Sequence, residues 1–116
     1  MSHPVMYFEV SGKDSEKLTR FYQDLFSWSI NTDPNTGYGY VDAVEPGVGG
    51  GIAQTPDGSP GQVTVYVGTP DIDDTLERAG SLGGSTILPR TEVSEQIVIG
   101  LLADPDGHVV GLVEQA

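Results

Sequence analysis

The 116-residue chain has no cysteine. That excludes disulfides, thiolate nucleophiles and cysteine metal sites. Basic residues are scarce: 5 Lys and Arg against 17 Asp and Glu give a net charge of −12. So acidic a domain repels phosphate backbones and anionic lipid, which argues against nucleic-acid and membrane partners and favours cationic ones. No apolar run approaches the ~20 residues of a membrane span. Met1-Ser2-His3-Pro4 lacks a basic segment followed by an apolar one, so no signal peptide is expected. The expected location is the cytoplasm. A G-x-S-x-G elbow is missing, as is a Glu/His pair at helical i, i+4 spacing, which removes the familiar serine-hydrolase and helical-zinc patterns. Gly47-Val48-Gly49-Gly50-Gly51 opens no helix and precedes no Lys-Ser/Thr, so it is not read as a phosphate loop.

What is present is a chain of short, well-punctuated elements. Val5–Val10 alternates as a strand, with Tyr7 and Glu9 on one face and Met6, Phe8 and Val10 on the other. Asp14 is placed to cap a helix whose apolar stripe is Leu18, Phe21, Tyr22 and Leu25, ending near Ser27. Trp28–Ile30, Tyr38–Val41 and Val48–Ala53 read as strands, the last interrupted by glycines that mark a bulge or a close approach. Thr55–Gly61 is the best linker. Val63–Val67 then begins a second round, with Asp71 as cap and Ile72, Leu76, Ala79 and Leu82 as stripe, closed by Gly83-Gly84. Ser85–Leu88, Ile97–Ala103 and Val109–Glu114 follow as strands. The last two are joined by Asp104-Pro105-Asp106-Gly107, which carries hairpin-turn chemistry.

Strand–helix–strand–strand–strand therefore occurs twice. Tyr7 matches Thr64, Asp14 matches Asp71, Leu25 matches Leu82 and Ile30 matches Ile87, each 57 positions apart. A repeat of this kind means two copies of one unit, neither able to bury its sheet face alone. The expected fold class is α+β: a single domain of two modules, about 1–54 and 62–116, joined by 55–61.

The chain resembles the vicinal oxygen chelate superfamily, which includes glyoxalase I, extradiol dioxygenases and bleomycin-resistance proteins. The resemblance is carried by Tyr7-Phe8-Glu9-Val10, Phe21–Trp28, Leu82-Gly83-Gly84 and Asp104-Pro105-Asp106-Gly107-His108. Where the family usually has glycine before the tryptophan, this chain has Ser27. The resemblance implies two βαβββ modules whose curved mixed sheet forms a concave cleft. In metal-dependent members, the first and last strand of each module supply His, Gln or Glu ligands to a divalent cation. Carried over, those positions are Tyr7, Thr64, Gly111 and a fourth at or beside Gly51, or at Gln54 under a strict 57-residue offset. Glycine donates nothing and neutral threonine is a poor ligand, so no metal site and no cofactor are expected.

His3 is expected to be solvent-exposed, and His108 to face solvent or cap local backbone. The expected ligand-binding cleft comprises Tyr7, Glu9, Trp28, Tyr38, Tyr40, Thr64, Tyr66 and Gly111, with aromatic walls suited to flat or cationic organic ligands. Glu9 is the candidate catalytic residue, a carboxylate in a lined cleft being a candidate general base. Two functions follow. One is a metal-independent small-molecule binding protein of the bleomycin-resistance kind, a homodimer sequestering an organic ligand. The other is a glyoxalase-like lyase or other enzyme with a non-standard site, using Glu9 or Tyr7 as acid or base.

Overall fold

The computed structural model describes residues 2–115; Met1 and Ala116, the ends of the expected modules, lie outside the described residues. The chain is α+β, with eight strands and two helices among the described residues. It divides into two compact units: residues 7–63, and residues 64–115 together with residues 2–6. The division comes at residues 63/64, past the expected linker 55–61. The N-terminal residues join the second unit: the Gly68 N–H donates to the Pro4 carbonyl at 2.8 Å, and Gln115 Nε2 donates to Met6 Sδ at 3.5 Å.

The first unit contains β1 (Val5–Gly12) from Tyr7 onward, α1 (Ser15–Phe26), β2 (Ile30–Thr32), β3 (Gly39–Val41) and β4 (Gly50–Gln54). β1 lies parallel to β4, with Glu9 opposite Gly51; β3 runs antiparallel to β4 and β2 antiparallel to β3. The second unit repeats this with β5 (Val63–Thr69), α2 (Ile72–Ser81), β6 (Ser85–Glu92), β7 (Val98–Ala103) and β8 (Val109–Glu114). β5 lies parallel to β8, with Tyr66 opposite Gly111, and β7 runs antiparallel to both β8 and β6. A crossover helix between parallel strands is the geometry such a connection demands.

Both helices start as their sequences dictate. Asp14 accepts from the Lys17 N–H at 3.1 Å, and Asp71 from the Asp74 N–H at 3.0 Å. Each satisfies an otherwise orphaned donor. A second cap comes from the last strand of each module: Gln54 Oε1 accepts from the Ser15 N–H at 2.9 Å, and Glu114 Oε1 from the Ile72 N–H at 3.4 Å. α1 ends at Ser27, which adopts φ 58° and ψ 31°. That left-handed conformation explains why glycine suits this position.

Several expectations are corrected. The expected stripe of α1 is not buried as a unit, because Phe21 and Leu25 are 55% and 57% exposed. The sheet-facing side is instead Ser15, Leu18, Thr19 and Tyr22. Gly12 leaves space that Leu18 occupies, and the helix sits rotated from the stripe its apolar residues suggest. In α2, Ile72 and Leu76 are buried with Leu112, but Leu82 is the C-cap and is exposed. The strand expected at Trp28–Ile30 begins only at Ile30, since Trp28 is committed to packing. β6 runs on to Glu92, past the expected end at Leu88. The Asp-Pro-Asp-Gly hairpin forms as expected, with Gly107 at φ 91° and Ala103 opposite Val109.

Candidate functional site

Alternation along β1 puts Phe8 and Val10 toward the helix-covered face of the first unit and Tyr7 and Glu9 on the other. Opposite Glu9 stands Gly51, and opposite Gly51 stands Tyr40 on β3. Glycine at 51 matters because the Tyr38 phenol fills its side-chain space: a Cβ there would lie 1.7 Å from the Tyr38 hydroxyl. From this seat the Tyr38 hydroxyl donates to Glu9 Oε2 at 3.0 Å, and it is also hydrogen-bonded to the Tyr7 hydroxyl. The Tyr40 ring is half exposed and meets Tyr38 edge to face at 4.8 Å. Four of the expected cleft residues therefore stand together: Tyr7, Glu9, Tyr38 and Tyr40.

Both phenols hold their protons more tightly than an ordinary tyrosine. For Tyr7 burial is the chief cause, reinforced by the Glu9 charge and opposed by the Tyr38 hydrogen bond. For Tyr38 burial again leads, followed by the hydrogen bond to Tyr7 and the charge on Glu9. Neither is disposed to act as a phenolate, because burial disfavours the charged form.

Trp28 is not part of this group. Its ring stacks on Tyr22 at 5.2 Å and tilts against Phe8 at 5.3 Å, on the face opposite Tyr7 and Glu9. The cause is Gly50, whose missing side chain leaves room for Phe8 and lets an aromatic cluster form beneath α1. Expecting Trp28 in the cleft is corrected on this geometry.

In the second unit Thr64 and Tyr66 share the face of β5 opposite α2, and Tyr66 stands across from Gly111. The Tyr66 ring covers that glycine; a Cβ at 111 would approach within 2.5 Å of it. Thr64 is buried, and its hydroxyl has no hydrogen-bond partner among the described residues. The two strand registers make Gly51 the counterpart of Gly111, so the fourth family ligand position is Gly51 and not Gln54. Gln54 matches Glu114, 60 positions on, and both cap helices. Three residues more in the second module, between helix and last strand, defeat a constant offset.

The residues at the four positions do not fit a divalent cation. At Gly51 and Gly111 the space of a ligating side chain is taken by a tyrosine. Tyr7 holds its proton, and Thr64 offers one neutral hydroxyl. A catalytic site of this kind needs about three protein ligands. Among the described residues, no group of three or more His, Cys, Asp or Glu side chains is placed to hold a metal ion. His108 instead closes the Asp104 turn, with Nδ1 3.0 Å from Asp104 Oδ2 and its N–H donating to Oδ1 at 2.9 Å. His3 is exposed and lines a surface cavity of about 350 Å³ with Thr69, Asp71, Asp74 and Arg78. None of the expected cleft residues lines it.

The fold is that of the glyoxalase/bleomycin-resistance proteins. The chain belongs to the glyoxalase-like domain family, whose model matches residues 8–113. It is 24% identical over 113 residues to "Putative glyoxylase CFP32" of Mycobacterium bovis, covering 91% of this chain and 43% of the relative's length. The chain thus spans less than half of that relative. Among solved structures, it is similar to a glyoxalase/bleomycin resistance protein/dioxygenase superfamily member from Vibrio splendidus 12B01. That match has a TM-score of 0.67 and 16% identity, covering 98% of this chain and all of the other. It is also similar to the Streptomyces coelicolor methylmalonyl-CoA epimerase, with a TM-score of 0.63 and 12% identity, covering 97% and 94%. At these identities the structural likenesses show the fold alone. No helix among the described residues is long and apolar enough to cross a membrane.

Proposed function

We propose that this chain is a metal-independent binding protein for a small organic ligand, cationic or aromatic, held against the Tyr7, Glu9, Tyr38 and Tyr40 face. One observation carries the reading: at both last-strand ligand positions a tyrosine occupies the space that a metal-ligating side chain would need. Tyrosine rings supply flat, amphipathic contact area, and the carboxylate supplies one charged anchor. Thr64, Tyr66 and Gly111 are proposed to line the corresponding face of the second module, where the buried Thr64 hydroxyl would gain a partner from water or ligand. The mode of action is sequestration by a homodimer in the cytoplasm.

Native mass spectrometry of the gently desolvated protein tests this. The expected result is a dimer without metal, carrying a substoichiometric organic adduct. A stoichiometric divalent cation would overturn the reading.

A second reading, an enzyme with a non-standard site, is favoured by the Glu9 carboxylate, which stands beside Tyr38 and opposite Gly51 and would serve as the base. The relatedness to an epimerase fold is compatible with such proton transfer. Exchange of solvent deuterium into a bound carbon acid would support it, and loss of that exchange in Glu9→Gln would assign the base.

A further inference from the structure

The Tyr7–Tyr38–Glu9 chain has a direction, and the direction selects among ligands. A carboxylate accepts hydrogen bonds and donates none, while each phenol owns a single proton. The Tyr38 proton is used on Glu9 Oε2 at 3.0 Å. In the contact between the two hydroxyls, Tyr7 must therefore be the donor. Both protons are thus committed toward Glu9, which leaves the Glu9 charge, and no phenol O–H donor, for the chain to offer a ligand. Beside it the half-exposed Tyr40 ring offers a flat surface.

Building on the binding reading above, the geometry points to a site that takes an aromatic ligand bearing N–H donors, of the amidinium or protonated arylamine class, with Tyr38 as the residue that enforces the preference. Two alternatives are disfavoured for different reasons. A carboxylate or carbonyl ligand meets acceptors with acceptors, leaving polar groups unpaired. A quaternary ammonium has charge without a donor, so it gains the field of Glu9 but no hydrogen bond. Tyr38 matters because it fixes both neighbours at once. Without its hydroxyl, the Tyr7 proton is no longer drawn to it, and Glu9 loses its partner.

Three probes sharing one ring separate these terms: benzamidinium, phenyltrimethylammonium and benzoate, titrated into the full chain by NMR with tyrosine ring signals observed. The expected order is benzamidinium about tenfold tighter than phenyltrimethylammonium, with benzoate weakest. Glu9→Gln is expected to raise benzoate relative to benzamidinium by about tenfold, since a carboxamide at position 9 can donate and let the chain reverse. Tyr38→Phe, which keeps the Glu9 charge but frees the Tyr7 proton, is expected to raise benzoate relative to phenyltrimethylammonium. Asp106→Asn, which removes an exposed turn charge far along the sequence, is expected to hold all ratios within about twofold and so controls for net charge. Equal binding of benzamidinium and phenyltrimethylammonium, or unchanged ratios in Tyr38→Phe, would overturn the directional account while leaving the binding reading intact. No binding of any probe at millimolar concentration would overturn both.

Discussion

The two modules share element order and strand register but are filled differently. The first module buries Val10, Val41 and Ile52 and adds a cluster of rings, with Trp28 against Phe8, Tyr22 and Phe26. Beneath α2 the second packs branched aliphatics, with Ile72, Leu76 and Leu112 buried and Val67, Val98 and Leu102 against them. The opposite faces differ in the same spirit. Tyr38 reaches Gly51 from a loop and holds Glu9, whereas Tyr66 reaches Gly111 from directly across the ladder. Equivalent glycines are thus covered by tyrosines of unrelated origin. A repeated backbone constrains where space exists, and the side chain that fills it is free to come from elsewhere.

The sharpest break of this comparison is in the cores. Ile52 and Leu112 hold equivalent places and are buried, so Ile52→Ala and Leu112→Ala are each expected to cost about 2–5 kcal/mol in denaturant unfolding. Phe21→Ala and Leu25→Ala, on the exposed side of α1, are expected to cost well under that. The glycines come next. Gly111→Ala drives a methyl into the body of the Tyr66 ring, for roughly 1–3 kcal/mol of overpacking. Gly51→Ala meets the Tyr38 hydroxyl at 1.7 Å and its ring at 2.2 Å, so the phenol must leave its seat. It is expected to cost about as much stability as Gly111→Ala, and also to release the Tyr38–Glu9 hydrogen bond and weaken ligand binding.

Alkaline titration sharpens the contrast further. Tyr38 keeps its proton in the folded protein above the ordinary tyrosine value of about 10, whereas the unfolded chain releases it there. A folded-state pKa raised in this way contributes stability that is complete below pH ~10 and is lost as pH rises above it. Tyr38→Phe is therefore expected to move the alkaline unfolding midpoint upward. Smallest is the helix end: Ser27→Gly relieves a left-handed residue and is expected to gain about 0.5–1 kcal/mol.

Much of this was legible in the residues. Asp14, Asp71 and the Asp104–Gly107 turn signal local structure through short-range hydrogen bonds, and such signals survive any tertiary context. Alternation put Tyr7 with Glu9 and Thr64 with Tyr66. What failed depended on space that only the assembled sheet creates. The stripe of α1 turned where Gly12 admits Leu18. Trp28 went to the helix side because Gly50 admits Phe8. Tyr38 is expected in the cleft from a strand over Tyr38–Val41, but β3 begins only at Gly39. Its seat over Gly51 comes from the preceding loop and not from strand periodicity. The signal available was the pair of adjacent glycines, each of which announces an approaching neighbour without saying which one.

The most direct test of the central claim is calorimetric titration of chelator-treated protein with Mn²⁺, Ni²⁺ and Zn²⁺. With Tyr38 over Gly51 and Tyr66 over Gly111, the account predicts no saturable one-to-one binding of any of the three. Stoichiometric binding that disappears on mutating Tyr7 or Glu9 would contradict it, and would return the chain to metal-dependent chemistry.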